Sequence, residues 1–140
     1  MSRLLFAVAA AGLALTTPGC QKTATPPLGL VGEWGWVSSR GGLTGKQTDT
    51  PASTGTSRQW VFRADSTFQQ RETRQGVALP AQEGTYLLGV VSSIYTGRPA
   101  RALTIIRLGQ HQTYVLSELG SRLVVNDNYP DGFGKTYERR

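Results

Sequence analysis

The chain offers few side chains for nucleophilic or metal chemistry. It holds one cysteine, Cys20, and one histidine, His111, so no His-x-His or Cys/His spacing can supply a metal cluster. No serine stands in a nucleophile elbow, and the glycine-rich segment 40–45 (RGGLTG) lacks the strand-to-helix setting of a phosphate loop. The sequence therefore predicts no catalytic residue, no metal site and no cofactor.

Two motifs that contain carboxylates have simpler structural explanations. Residues 131–134 (DGFG) have the letters of a kinase metal motif, but Pro130, Asp131 and Gly132 form a turn signal directly before the last strand. Glu72 and Glu83 fall on neighbouring polar strands, where cross-strand pairs with arginine explain them. Hydrolysis or isomerisation remains a third functional class, because the members of a catalytic triad meet only in space.

The cysteine stands at a specific place in the chain. The residues before it contain one positive charge at Arg3, an apolar run over 4–15 and then small residues. This order is typical of an export signal, and the apolar run is shorter than the roughly 20 residues that span a bilayer. The segment 17–20 (TPGC) resembles the lipobox of bacterial lipoproteins. That resemblance implies a cleaved helical signal peptide at 1–19 and acyl chains such as palmitate on Cys20; the alternative is ordinary secretion with a free thiol.

Lipidation would define the location of the protein. Two or three acyl chains hold a protein on a membrane almost permanently, whereas one chain binds only marginally. Gln21 stands where an inner-membrane retention signal usually has aspartate, so the resemblance implies the outer membrane, facing the periplasm. Residues 20–29 are polar and contain proline, which is typical of a tether, and 30–140 remain for one domain. Its core must come from apolar burial, because a second cysteine for a disulfide is missing.

The positive charge of the chain is dispersed. The net charge is +6, but the basic residues occur singly or in small groups. Nucleic-acid-binding proteins usually concentrate basic residues on one face, so the pattern favours solvated strand faces and predicts no nucleic-acid partner. Weak attraction to an anionic membrane surface is the alternative.

After residue 30, short apolar or alternating runs are broken by turn residues, which predicts an all-β domain. The short hairpins favour an up-and-down antiparallel barrel of eight strands, because closure removes exposed sheet edges. The polar segment 40–57 is predicted to be a flexible first loop at the barrel mouth. The eight strands are predicted at 32–39, 57–63, 67–74, 83–91, 101–108, 112–118, 121–126 and 134–139.

Alternation along the strands predicts which side chains share a face. The first strand places Trp34 and Trp36 on one face, and the second does the same with Trp60 and Phe62. The third strand is polar on both faces apart from Phe68, which favours an edge or a solvated wall. The fifth strand is apolar on both faces, which predicts that a loop or a partner covers the outer one.

Three segments carry a family resemblance. They are 30–34 (LVGEW), 60–70 (WVFRADSTFQQ) and 128–140 (NYPDGFGKTYERR). In their order and spacing they resemble the small lipocalin-like lipoproteins of bacteria, within the lipocalin superfamily. The resemblance implies an eight-stranded lipocalin-like β-barrel in which Arg139, near the end of the last strand, lies over Trp34 and closes the barrel.

Two non-enzymatic functions are favoured over that third class. The first is a non-enzymatic envelope lipoprotein whose barrel binds a small, largely apolar ligand. The second is a protein–protein interaction or structural module with a barrel filled by side chains, in which a surface around Ile94 and Tyr95 docks an envelope protein. For the first function, the residues predicted to line the ligand site are Trp36, Trp60, Phe62, Tyr86 and Tyr114.

Overall fold

The computed structural model describes residues 29–140, so the predicted signal peptide, Cys20 and most of the predicted tether lie outside the described residues. Within this range the chain forms ten strands and one short helix. They are β1 (Gly32–Gly41), β2 (Gln47–Asp49), α1 (Pro51–Thr54), β3 (Thr56–Phe62), β4 (Thr67–Arg74), β5 (Val77–Ala78), β6 (Gln82–Ser92), β7 (Pro99–Arg107), β8 (Gln110–Leu119), β9 (Arg122–Asp127) and β10 (Phe133–Arg139).

Eight of the strands form a closed antiparallel barrel. Each long strand pairs with the next long strand along the chain, in the order β1, β3, β4, β6, β7, β8, β9 and β10. Pairing of β10 with β1 closes the sheet, and Trp34 lies opposite Arg139 in that pairing. The predicted all-β, up-and-down antiparallel barrel is confirmed. The short strands β2 and β5 are additions at the edges of β1 and β4.

The segment between β1 and β3 is more ordered than its composition predicts. Strand β2 pairs with the end of β1, and the helix α1 begins at Pro51 after the cap residue Thr50. The Thr50 side chain accepts from the Ser53 backbone N–H at 3.1 Å, and the Ser53 side chain accepts from the Thr50 N–H at 2.9 Å. This reciprocal capping box fixes one helical turn without apolar periodicity. The prediction of a wholly flexible loop at 40–57 is therefore wrong.

Aromatic side chains fill one end of the barrel. Trp60 stacks on Tyr137 with ring centroids 4.2 Å apart, and its ring edge meets Phe68 at 5.8 Å. Phe62 packs against Phe68 at 5.2 Å. All four residues are almost completely buried. Burial of each large apolar side chain stabilises the fold by about 1.5–3 kcal/mol, so this aromatic layer is the centre of the core.

The first and last strands are joined at this filled end. The Arg139 guanidinium lies 4.3 Å from the centroid of the Trp34 ring, and Trp34 is fully buried. Arg139 also donates to the backbone carbonyls of Val31, at 2.9 Å, and Gly29, at 2.5 Å. A guanidinium over an indole contributes about 0.5–2 kcal/mol. The side chain of Arg139 therefore attaches the chain segment before β1 to the end of β10.

Strand β7 has one covered face and a partly open one. Leu103 and Ile105 point into the barrel and are buried. On the outer face Ala102 is buried, but Leu108, just beyond the strand, is fully exposed and has a φ of 50°. Ile106, further along the same outer face, is partly buried, so the outer face is open only at Leu108, which belongs to the turn that leads into β8.

Candidate ligand cavity

The two ends of the barrel differ in chemistry. Gly32, which pairs with Phe62, and Arg139 lie at the end filled by the aromatic layer. Towards the opposite end, polar side chains replace aromatic ones on the inner face, and a cavity of about 280 Å³ opens there. Three aromatic residues line its inner part, namely Trp60, Tyr114 and Tyr137. The eight polar residues that complete the lining are Arg58, Gln70, Glu72, Arg74, Gln82, Arg107, Gln112 and Lys135.

Strand alternation brings these polar side chains inside. Arg58 shares the inner face of β3 with Trp60, which lies two residues further along. Opposite them on β4, Glu72 pairs with Arg58 and Gln70 pairs with Trp60. Gln82 on β6 then lies opposite Gln70.

The same alternation explains the polar residues from the remaining strands of the cavity wall. Arg107 follows Ile105 by two residues on β7. Gln112 precedes Tyr114 by two residues on β8, and Lys135 precedes Tyr137 by two residues on β10.

Glu72 is the carboxylate that lines the cavity. Its two oxygens accept from Arg58 Nε at 3.0 Å and from Arg74 Nε at 2.6 Å, and its side chain is 9% exposed. Burial alone would raise the pKa of Glu72, but the hydrogen bonds from Arg58 and Arg74 outweigh it and lower the pKa below its ordinary 4.5. Glu72 is therefore ionised at neutral pH and compensates part of the positive charge around it.

Arg107 is held by neutral groups. Its Nη1 donates to Gln82 Oε1 at 2.5 Å and to Gln70 Oε1 at 3.3 Å, and its Nη2 donates to Gln112 Oε1 at 3.5 Å. The guanidinium also lies 5.9 Å from the centroid of the Phe68 ring. The salt bridges within residues 29–140 join Glu72, Glu118 and Asp127 to basic residues other than Arg107. In this range Arg107 therefore has no acidic partner.

Lys135 is positioned by a buried acid. Its Nζ donates to Asp127 Oδ1 at 2.5 Å and lies 4.9 Å from the centroid of the Tyr114 ring. Asp127 is almost fully buried and also accepts from the Tyr129 hydroxyl at 3.1 Å and the Phe133 N–H at 2.9 Å. The Lys135 charge is therefore neutralised locally, and the turn before β10 fixes its position.

Two tyrosine hydroxyls contribute donors to the inner part of the cavity. Burial raises the pKa of Tyr137 and of Tyr114 far above the ordinary 10.0 of a tyrosine, so both phenols keep their protons. The Tyr137 hydroxyl is fully buried, and within the described range of the chain it has no hydrogen-bond partner. A buried donor without an acceptor costs about 1–3 kcal/mol, which an acceptor on a ligand would recover.

The residues predicted for the ligand site divide into three groups. Trp60 and Tyr114 line the cavity. Trp36 lines a neighbouring cleft of about 230 Å³ that also includes Arg58 and Glu72. Phe62 and Tyr86 belong to the aromatic layer, with ring centroids 5.0 Å apart, and do not line the cavity. The largely apolar lining expected for a ligand site is thus found in the filled end of the barrel, whereas the cavity itself is mainly polar.

The sequence reasoning missed the polar lining. The alternation that predicts Trp60 on an inner face also extends back to Arg58 on β3 and across to Glu72 on β4. The polar strand β4 was expected at an edge or a solvated wall, yet it forms one wall of the cavity. The signal was present, because inward positions on β3, β4, β6, β7, β8 and β10 carry polar residues at the same end of the barrel.

No three His, Cys, Asp or Glu side chains in residues 29–140 lie close enough together to hold a metal ion. No helix in the same range has the length and apolar character needed to cross a membrane. Comparison of the chain with protein-family models, curated proteins and solved structures finds no match.

Proposed function

We propose that this protein is a non-enzymatic envelope lipoprotein whose barrel binds a small molecule in the cavity. The observation that carries the proposal is the cavity of about 280 Å³, with aromatic residues at its inner part and polar residues around them. Sites for drug-sized molecules usually measure roughly 300–1,000 Å³, so the ligand is small. The lining favours a ligand with a polar group and a flat apolar part over the largely apolar ligand expected from the sequence.

The proposed location depends on the N-terminal sequence. The export signal and the lipobox-like segment 17–20 support acylation at Cys20, and Gln21 supports the outer membrane. Eight residues lie between Cys20 and Gly29, the first described residue. Fully extended, such a segment spans at most about 30 Å, so the barrel would stay close to the membrane surface.

The three tryptophans provide a direct test of ligand binding. Each indole N–H gives its own signal in a ¹H–¹⁵N NMR spectrum, and Trp60→Phe and Trp34→Phe assign two of them. A ligand in the cavity should shift the Trp60 signal, because Trp60 lines the cavity and its Nε1 donates to Gln70 Oε1 at 2.9 Å. The Trp34 signal serves as the control, since its Nε1 donates to Leu30 O at 2.8 Å in the filled end.

The titration uses the purified protein and a panel of small aromatic acids, amides, alcohols, fatty acids and quinones. We expect saturable movement of the Trp60 signal with a small aromatic member of the panel, while the Trp34 signal stays in place. Equal movement of both signals would indicate a general structural change. Absence of any saturable shift across the panel would contradict the proposed function.

One observation favours the interaction module as a second candidate. Strand β6 pairs with β4 only over Gln82–Thr85, so within residues 29–140 the segment 87–91 pairs with β7 alone and leaves one strand edge free. At Ser92 the backbone carbonyl accepts from Asn128 Nδ2 at 3.0 Å. Several apolar side chains on or near this edge are about half exposed or more, namely Leu87, Leu88, Val90, Ile94 and Tyr95. An unpaired edge of this kind can add a strand from another chain. A second copy is the simplest partner, because two identical edges can pair antiparallel about a two-fold axis.

A further inference from the structure

We propose that the ligand of the cavity is a small organic monoanion, a carboxylate with an aromatic or otherwise flat apolar part. This inference rests on the proposed ligand-binding function and specifies its ligand. Four cationic side chains, Arg58, Arg74, Arg107 and Lys135, line the cavity together with the single carboxylate of Glu72. The excess of positive charge inside a partly enclosed space favours an anion.

The ion pairs indicate how much charge the ligand carries. Arg58 and Arg74 share Glu72, and the side chain of Arg74 is 63% exposed, so water screens much of its charge. Lys135 is neutralised by Asp127. Arg107 remains. Within residues 29–140, all of its side-chain hydrogen bonds go to neutral amide oxygens. One uncompensated guanidinium matches one negative charge on the ligand.

The hydrogen bonds of Arg107 indicate the shape of that charge. A guanidinium has five N–H groups, and three of those on Arg107 point to the amide oxygens of Gln70, Gln82 and Gln112. Two N–H groups, one on Nε and one on Nη2, have no acceptor within residues 29–140. Nε and Nη2 form one edge of the guanidinium plane, and a carboxylate accepts from the two nitrogens of such an edge in bidentate fashion. The geometry therefore favours a planar carboxylate.

The aromatic part of the lining accounts for the rest of the ligand. Tyr114 and Tyr137 lie on the same cavity as Arg107, and Trp60 stacks on Tyr137. The Tyr137 hydroxyl, which has no partner in the described part of the chain, gives a further donor for a ligand oxygen. A flat apolar group can contact these rings while its carboxylate reaches Arg107.

Isothermal titration calorimetry of the purified protein with benzoate, and with benzamide as its neutral isostere, tests this proposal. We expect benzoate to bind at least about tenfold more tightly than benzamide, because a charged hydrogen-bond pair stabilises the complex more than a neutral one. Arg107→Gln should weaken benzoate binding by about 10- to 100-fold and leave benzamide binding almost unchanged. Tyr137→Phe should also weaken benzoate binding, because it removes a buried hydroxyl donor from the inner part of the cavity.

A matched variant separates local from overall charge. Arg71 on β4 is exposed, lies outside the cavity lining and donates to Gln69 Oε1 at 2.8 Å. Arg71→Gln removes the same unit of charge as Arg107→Gln, so it should change benzoate affinity less than about twofold at moderate salt. Equal losses in the two variants would contradict a specific role for Arg107.

The remaining outcomes are distinct from one another. Benzamide that binds as tightly as benzoate and shifts the Trp60 indole signal would overturn the anion inference and leave the ligand-binding function standing. Inorganic phosphate that binds more tightly than benzoate through Arg107 would overturn the carboxylate assignment. Failure of every probe to bind or to shift the Trp60 signal would overturn both proposals.

Discussion

Glu72 is the residue whose ionisation bears most directly on the stability of the open end of the barrel. Its pKa is lower in the folded protein than its ordinary 4.5, through the hydrogen bonds from Arg58 and Arg74 that outweigh burial. A carboxyl with a lowered folded pKa stabilises the fold above its ordinary pKa. This contribution to stability declines as the pH falls below 4.5, and it is lost once the pH is below the lowered pKa of Glu72 in the folded protein.

Glu72→Gln should therefore destabilise the protein mainly at neutral pH. We expect the variant to lose about 1–3 kcal/mol in the free energy of unfolding near neutral pH, because Arg58 loses its charged partner. In acid the difference should shrink, since Glu72 is then protonated in the parent protein. Urea unfolding monitored by tryptophan fluorescence, near neutral pH and in acid below the lowered pKa of Glu72 in the folded protein, measures both differences.

Glu83→Gln is the matched control for this experiment. Glu83 is an exposed carboxylate on β6 that accepts from Gln69 Nε2 at 3.0 Å. Its replacement should change stability by less than about 0.5 kcal/mol. A difference between Glu72→Gln and the parent that stays constant from neutral to acidic pH would show that Glu72 does not stabilise the fold through its charge.

Individual site residues differ in how far a sequence could predict them. Trp60 and Tyr114 were predictable, because large aromatic residues at alternating positions point into a barrel. Arg107 was not predictable as a site residue, since an arginine at the end of an apolar strand is usually solvated. Its role depends on three glutamine side chains from β4, β6 and β8, which come together only after closure of the sheet.

Among the elements, β6 carries the strongest indication of a partner. Val90 is 72% exposed on the part of β6 that pairs with β7 alone. If β6 pairs with its copy, the protein should show a concentration-dependent dimer in sedimentation velocity experiments. Val90→Lys should abolish the dimer, because a lysine on an edge strand opposes strand addition.

A second exposed apolar residue provides the control for β6. Leu43 is 88% exposed and lies between β1 and β2, away from the free edge. Leu43→Lys should leave the monomer–dimer equilibrium unchanged. A parent protein that stays monomeric at all concentrations, or a dimer that survives Val90→Lys, would contradict pairing through β6.

The long strands were predictable and the small elements were not. Strand β4 occupies the predicted range 67–74, and the other seven long strands differ from prediction by at most two residues at an end. Alternation over six or more residues gives a clear signal of a half-buried strand. The helix α1 and the strands β2 and β5 are two to four residues long and bury no apolar face, so hydrophobic patterns cannot reveal them.

At the scale of the whole molecule, the proposed anchor gives a test in cells. Feeding bacteria that produce the protein with an alkyne analogue of palmitate should label the parent protein and leave Cys20→Ser unlabelled. The parent should fractionate with the outer membrane, and Cys20→Ser should be lost from it, because acyl chains supply the membrane affinity. Gln21→Asp should keep the label but move the protein to the inner membrane.

The alternative of ordinary secretion makes the opposite prediction. It requires an unlabelled parent protein with a free thiol at Cys20, and equal fractionation of the parent and Cys20→Ser. Loss of the label in Gln21→Asp would show that the residue after the cysteine affects acylation rather than sorting.

The position of Gly29 beside Arg139 has a consequence for ligand supply. Arg139 donates to the Gly29 carbonyl at the filled end of the barrel, and the cavity opens towards the other end of the strands. With an anchor at Cys20, the filled end of the barrel would face the bilayer, and the cavity would open towards the aqueous compartment. The ligand would then reach the barrel by diffusion through water. Its dissolved concentration, rather than its partition into lipid, would set the occupancy of the site.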